Sequence, residues 1–197
     1  MKKLQELKRH LRPGQVYRRE DLGKWSTSVD RHLKQLVESG ELTKLAGGLY
    51  YRPKTNVFGK APASSGNLVK AFLKDDRFLL TSLNHYNALS VGTTQLYNET
   101  LVYNHKRQGE FKLGGKRFNF VLKPYFPKKA TKEFLLVDLV NNLNRLAEDH
   151  DRVLSGVKRR ALEMDQAALQ RAAHKYGAVR TRKFFDALAE GTDQHAA

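Results

Sequence analysis

The hydrophobic period of the chain changes at Gly40, and this change restricts the fold of the N-terminal region more than any other feature. Before Gly40, four apolar residues share one stripe at helical spacing: Val29, Leu33, Leu36 and Val37. After it, the short apolar-rich runs ELTKLA and LYYRP flank the pair Gly47-Gly48. Adjacent glycines between such runs are typical of a hairpin turn, because glycine accepts the positive φ that the turn requires. The sequence therefore predicts a helix followed directly by a β-hairpin.

The residues before that helix complete an order that is found in a known DNA-binding fold. KKLQELKRHL predicts a first helix that ends at Pro13-Gly14, Gln15-Val16-Tyr17 predicts a strand, and RREDLGKW predicts a short second helix. STSVDRHLKQLVESG has hydroxyl caps at its start and Gly40 at its end. Helix, strand, helix, helix and hairpin is the order of a winged helix-turn-helix, which we predict for residues 1–54.

The rest of the chain predicts a linker, a second domain and a helical segment. Residues 55–67, TNVFGKAPASSGN, have the Gly, Pro and Ser content of a linker. Residues 68–130 predict an α+β domain with a small antiparallel sheet, in which Gly114-Gly115 forms a second hairpin turn. Residues 131–197 have helical periodicity, and we expect these helices to pack on the middle domain. The predicted fold class is α+β.

Charge indicates the kind of partner. The chain has 36 Lys and Arg against 20 Asp and Glu, and residues 1–130 hold 25 of the basic but only 10 of the acidic side chains. An excess confined to one part of a chain favours a surface that faces a polyanion. Nucleic acid fits better than an anionic membrane, because no Lys-rich amphipathic helix with a Trp or Phe face occurs. No apolar run is long enough to span a membrane, so we expect a soluble, cytoplasmic protein.

The sequence predicts no catalytic or metal site, and therefore no enzyme, cofactor or bound metal. Gly47-Gly48 lies between strands and no Lys-Ser or Lys-Thr follows it, so it is not a phosphate-binding loop. The chain lacks cysteine, and no two histidines have the spacing of a zinc motif. His85, in the stretch TSLNHYNAL, is predicted to be a core histidine that hydrogen-bonds its neighbours.

The candidate DNA-binding surface is the polar face of the helix of residues 26–39, opposite its apolar stripe. In a helix-turn-helix this helix enters the major groove, where hydroxyl, amide and guanidinium groups bind base edges and phosphates. The predicted contacts, with two basic residues of the hairpin added, are Thr27, Ser28, Arg31, Lys34, Gln35, Lys44 and Arg52. Two alternatives stay open: a merely solvated helix face, and a winged domain that binds protein instead of DNA.

Several strings resemble a known family. VYRREDL, VDRHLKQLVESGEL, KLAGGLYYRPK and FGKAP resemble the N-terminal winged-helix domain of AbiEi-type antitoxins, which belong to bacterial type IV toxin–antitoxin systems of the abortive-infection kind. RFLLTSLNHYNAL and residues 99–126 are similar to the second domain of such proteins, so the resemblance covers residues 14–126.

The resemblance implies an antitoxin that represses its own operon by binding inverted repeats in the promoter, as a dimer or cooperatively. It also implies a co-encoded nucleotidyltransferase-like toxin as the partner whose effect is counteracted. Whether the two proteins touch stays open. The alternative function is a protein-interaction module that neutralises the toxin by direct binding, without promoter binding.

Overall fold

The computed structural model describes residues 2–193. The protein is of mixed α+β class, with small, mostly antiparallel sheets and a helical C-terminal segment. It divides into two compact units. The first comprises the chain up to Phe78 together with Lys106–Phe120, and the second comprises Leu79–His105 together with the chain from Val121 onward. The last four residues of the predicted helical segment, 194–197, lie outside the described residues.

The first unit begins with the predicted order of helix, strand, helix, helix and hairpin. Its elements are α1 (Lys2–His10), β1 (Val16–Arg18), α2 (Arg19–Leu22), a 3-10 helix (Gly23–Trp25), α3 (Val29–Glu38), β2 (Thr43–Ala46) and β3 (Leu49–Tyr51). The three strands form an antiparallel sheet in the order β1-β3-β2. Gly48 has a φ of +71° in the turn between β2 and β3, so the predicted glycine turn is confirmed.

A separate apolar cluster supports these elements. The helices bury one leucine-rich face each, and the members of the cluster are Leu7, Leu11, Leu22, Val29, Leu33, Leu36 and Leu42. All of them are less than a tenth exposed. The predicted stripe of the third helix is therefore the face that packs inward, and its opposite face is left toward solvent.

The remainder of the first unit includes secondary structure where the sequence predicted a linker. Residues 55–67 overlap a hairpin and the start of a helix. The elements of the first unit after β3 are β4 (Lys54–Asn56), β5 (Gly59–Ala61), α4 (Ser65–Leu73), β8 (Gly109–Leu113) and the first five residues of β9 (Lys116–Leu122), whose last two residues belong to the second unit. Strands β8 and β9 form an antiparallel hairpin across Gly114-Gly115. The ring of Phe72 lies 4.9 Å from that of Phe111 and 5.2 Å from that of Phe120, which attaches this hairpin to α4.

The second unit combines a strand pair with the C-terminal helices. Its elements are β6 (Leu79–Thr81), a 3-10 helix (Leu83–Leu89), β7 (Thr100–Asn104), α5 (Lys132–Asn141), a 3-10 helix (Leu143–Arg145), α6 (His150–Leu162), α7 (Gln166–Tyr176) and α8 (Val179–Asp193). The strands β6 and β7 pair antiparallel. Side chains from both parts of the unit belong to one apolar cluster, which includes Leu83, Leu101, Val137 and Phe185. No helix within residues 2–193 is long and apolar enough to cross a membrane.

A polar network is buried in the core of the second unit, around the fully buried carboxylate of Asp138. The carboxylate accepts hydrogen bonds from the hydroxyls of Tyr86 and Tyr103, each at 2.8 Å, and from Lys123 Nζ at 2.7 Å. Asn142 Nδ2 donates to the same two hydroxyls at 3.0 and 3.1 Å. Burial, and then the nearby carboxylate, raise the pKa of both tyrosines. The network is therefore a fixed structural feature that connects α5 to β7 and to the 3-10 helix of residues 83–89.

Candidate nucleic-acid interface

Helix α3 presents one polar face to solvent. Thr27, Arg31, Lys34 and Gln35 are all exposed, and Ser28 is partly exposed. Residues 31, 34 and 35 are separated by three and four positions, so they lie next to one another on one side of the helix. The Lys34 ammonium is 3.9 Å from the Glu38 carboxylate, and both groups are largely exposed. This contact is weak in water, and it leaves the lysine available to a stronger anion.

The start of α3 is fixed from beneath by a buried pair. Ser26 and His32 are both buried, and Ser26 Oγ lies 2.7 Å from His32 Nδ1. Burial, and then the nearby charge of Arg31, lower the pKa of His32. Ser28 occupies the N-cap position, but its side chain makes no capping hydrogen bond. The hydroxyl of Ser28 therefore does not occupy the first amides of the helix, and such amides can bind a phosphate.

Arg19 holds α2, α3 and the β2–β3 turn together. Its guanidinium binds the Asp30 carboxylate through two hydrogen bonds of 2.6 and 2.5 Å, and its backbone N–H donates to Gly48 O at 2.8 Å. The hydrogen bonds from Arg19 lower the pKa of Asp30, and both side chains are largely exposed. The hairpin turn and the start of α3 therefore lie on the same side of the unit. Arg19 is not among the contacts predicted from the sequence, because its only signal there is its place in the basic pair before Glu20.

The acidic residues of α2 are paired with basic side chains. Glu20 forms an ion pair with Lys74, and its carboxylate is also 3.3 Å from Arg18 Nε. Asp21 lies 3.8 Å from Lys24. These two carboxylates interrupt the basic sequence of the first unit, but neighbouring cations offset their charge. The surface around α2 is therefore less repulsive to a polyanion than the sequence alone indicates.

The two basic residues predicted on the hairpin have different environments. Lys44 is exposed on β2, opposite Tyr50. Arg52, just after β3, is partly buried, and its guanidinium donates to the backbone carbonyls of Leu11 and of Lys8, the latter at 3.4 Å. Carbonyls at the end of a helix lack partners within the helix, and Arg52 supplies donors to those of α1. The structure therefore places Lys44, but not Arg52, with the exposed candidate residues.

Two titratable residues outside this surface, His85 and Asp75, have hydrogen-bond partners. His85 is exposed, so the prediction that it lies in the core is wrong, but the predicted hydrogen bond to a neighbour is present, since His85 Nδ1 lies 3.2 Å from Thr81 Oγ1. Asp75 is bound by Arg77 and Lys106, each at 3.2 Å, and hydrogen bonds from Arg77 lower the pKa of Asp75. Across residues 2–193, no group of three or more His, Asp or Glu side chains is placed to hold a metal ion.

Comparison with known proteins adds no relative to this description: no protein-family model, curated protein or solved structure matches the chain.

What the exposed residues of α3 can do is set by their chemistry. They supply one guanidinium, one ammonium, one amide and two hydroxyls on a helix whose start lies beside a hairpin turn. Such groups can bind anions and hydrogen-bonding edges.

Proposed function

We propose that this chain is a DNA-binding transcriptional regulator with a winged helix-turn-helix in residues 1–54. The observation that carries the proposal is the exposed polar face of α3, which Arg19 holds beside the β2–β3 turn. In this function α3 is the recognition helix, and the β2–β3 hairpin is the wing.

The dimensions and chemistry of α3 agree with this function. An α-helix with its side chains is about 10–12 Å in diameter, and the major groove is about 12 Å wide, so α3 can lie within it. Arg31 can donate two hydrogen bonds to guanine, and Gln35 can pair with adenine. Thr27, Ser28 and Lys34 are suited to phosphates at the edges of the groove. Lys44 reaches a phosphate from the wing, whereas Arg52 stabilises α1 and stays outside the interface.

The resemblance to AbiEi-type antitoxins extends the proposal to a biological role. We propose that the protein represses its own operon and acts as the antitoxin of a nucleotidyltransferase-like toxin encoded beside it. The resemblance implies inverted repeats in the promoter as the target, and because a single recognition helix covers only a short half-site, we propose that the protein binds them as a dimer or cooperatively. The concentration of positive charge in residues 1–130 supports a polyanion as the partner.

The test separates base recognition from phosphate contact. The wild-type protein is titrated against the DNA upstream of its own gene and against unrelated DNA, at several salt concentrations. We expect Arg31→Ala to weaken binding to the upstream DNA by roughly tenfold or more, with a small effect on unrelated DNA. We expect Lys44→Ala to weaken both similarly and to reduce the slope of log K against log salt by about one.

A matched control is Arg180→Ala, which removes one exposed cation from α8 in the second unit. It should leave the affinity and the salt slope close to the wild-type values. If Arg31→Ala behaves like Arg180→Ala, then α3 is not the recognition helix. If the wild-type protein has no affinity for the upstream DNA and co-purifies with the adjacent toxin, the chain is instead a protein-interaction module.

A further inference from the structure

The hairpin of β4 and β5 exposes two adjacent apolar side chains at its tip. Val57 is 92% exposed and Phe58 is 95% exposed. The strands on either side are also solvent-exposed, apart from the partly exposed Ala61 at the base. A large aromatic side chain that is almost completely exposed buries no apolar area in this chain, so it is available for contact with another molecule.

The tip is held by an ordered support. The backbone N–H of Phe58 donates to Asn56 Oδ1 at 3.0 Å, which fixes the turn, and β4 pairs with β5 on either side of it. At the base, Tyr51 Oη donates to Ala61 O at 3.0 Å. Lys60 Nζ donates to Gly40 O at 2.6 Å, in the turn that ends α3. The hairpin is therefore attached to the C-terminal end of the proposed recognition helix.

The charge around the tip selects the class of partner. No Asp or Glu occurs between Glu41 and Asp75, whereas that segment contains six basic residues: Lys44, Arg52, Lys54, Lys60, Lys70 and Lys74. A second copy of the chain would bring an equally basic segment to the same place, and like charges oppose such a contact. An aromatic tip between lysines is instead complementary to a polyanion that has apolar surfaces inside it. Stacked base pairs between two phosphate backbones fit this description.

We propose that Val57 and Phe58 form an apolar wedge that enters the minor groove of the DNA bound by α3, partly unstacks one base step and bends the duplex. The proposal rests on the DNA-binding function inferred above. Three extended residues span about 10 Å, and the minor groove is about 7.5 Å deep, so the hairpin is long enough for its tip to reach the bases. Lys54 on the exposed strand β4 then lies at the height of the phosphates beside the groove, while Lys60 keeps its hydrogen bond to Gly40 O.

The experiment measures binding and bending on the same DNA. A duplex of the upstream DNA carries a fluorophore at each end, so that energy transfer reports the bend, and 2-aminopurine substituted along it reports unstacking. The wild-type protein should bend the duplex by roughly 20–90° and raise the 2-aminopurine signal at one step. Phe58→Ala should abolish both signals and weaken binding on the order of tenfold, which is the scale of a lost aromatic–base contact.

The control is Leu96→Ala, which removes a similarly exposed apolar side chain, 82% exposed, in the second unit. It should change neither bend nor affinity. Tight binding to a straight duplex, or a bend that Phe58→Ala leaves unchanged, would overturn the wedge while the DNA-binding function stands. No binding of DNA by the wild-type protein would overturn both.

Two further measurements distinguish other partners for the tip. Sedimentation with phosphatidylglycerol vesicles should be the same for the wild-type protein and Phe58→Ala, and a loss of sedimentation in the variant would assign the tip to a membrane. The oligomeric state in solution without DNA should also be the same for both proteins. A dimer that Phe58→Ala converts to monomer would assign the tip to contact between copies.

Discussion

The buried pair of Asp138 and Lys123 makes a sharp prediction about the stability of the second unit. The substitution Asp138→Asn keeps the shape of the side chain but removes its charge and one acceptor oxygen. The two tyrosine hydroxyls can rotate to accept from the new amide, whereas the Lys123 ammonium can only donate. The variant therefore leaves a largely buried cation without a counter-ion.

The structure gives the size of this effect. Removal of one partner from a buried pair costs about 3–5 kcal/mol, and Lys123 is 20% exposed, so water reaches it and the cost falls to the lower end of this range or just below it. We expect Asp138→Asn to lower the free energy of unfolding by about 2–3 kcal/mol. Lys123→Met should cost about 2 kcal/mol, because the carboxylate keeps the hydroxyls of Tyr86 and Tyr103 as donors.

The double variant is the decisive measurement. With both charges removed, the amide introduced at position 138 retains neutral hydrogen bonds and a methionine occupies the volume of the lysine stem, so the loss should be about 1 kcal/mol. The coupling free energy would then be about 3–4 kcal/mol. Urea unfolding followed by far-UV circular dichroism measures it, and constant m-values show that the variants differ in stability and not in compactness. Trp25, the single tryptophan, lies in the first unit, and its fluorescence monitors that unit as an internal control.

Additive losses in the double variant would refute this account, because independent sites show no coupling. Single variants within about 0.5 kcal/mol of the wild type would refute it as well, since that is the scale of an ordinary surface substitution. In either case the network could not be a buried ion pair with the geometry described above.

Two other predictions concern backbone space and pH. A Cβ on Gly156 in α6 would overlap the carbonyl oxygen of Val91, so Gly156→Ala should lower the free energy of unfolding by about 2–3 kcal/mol. A Cβ on Gly66 in α4 would meet no atom within 4 Å, so Gly66→Ala should raise the free energy of unfolding by about 0.5 kcal/mol. Equal urea midpoints for these two variants would contradict the close approach of the Gly156 backbone to the Val91 carbonyl. Because the pKa of His32 is lowered in the folded state, the unfolded chain binds more protons below about pH 6.5, and stability should fall as pH falls through that value. His32→Gln should reduce this fall when urea midpoints are compared at about pH 7.5 and about pH 5.5, and an unchanged fall would show that His32 is not responsible.

The order of helices and strands in residues 1–54 was predictable because its sequence signals are local. The stripe that includes Leu33 and Leu36 repeats with the period of a helix, and both residues are buried in the structure. The turn after it depends on the φ of Gly48, which is a property of one residue type. Signals of this kind require no knowledge of distant contacts, so a single sequence contains them.

The hairpin of β4 and β5 was missed because its strands have three residues each, too few to show an alternating pattern. Its Gly, Pro and Ser content indicated a linker instead, although Asn56 and Gly59 flank a two-residue tip. Helical periodicity was predicted from residue 131 onward, but α5 ends at Asn141, although Leu143 and Leu146 continue the helical period beyond it. Asn142 there turns its amide to two buried tyrosine hydroxyls that are 39 and 56 residues away along the chain.

Contacts between residues distant in the chain also limit what the sequence predicts about single side chains of the candidate site. The sequence identifies a basic region, but it assigns Arg52 and Lys44 equally to the DNA, because both flank the same glycine turn. The two residues differ because Arg52 donates to the carbonyl of Leu11, which follows α1 and lies 41 residues away along the chain. Carbonyls at the end of a helix lack donors within the helix. Arg19 is the opposite case. It was not predicted to contact DNA, yet its guanidinium binds Asp30 at the start of α3 and its backbone N–H binds Gly48 in the β2–β3 turn. Substitutions in this region therefore fall into two kinds: Arg31 and Lys44 are expected to change DNA affinity with little effect on folding, whereas Arg19 and Arg52 are expected to act on the fold first.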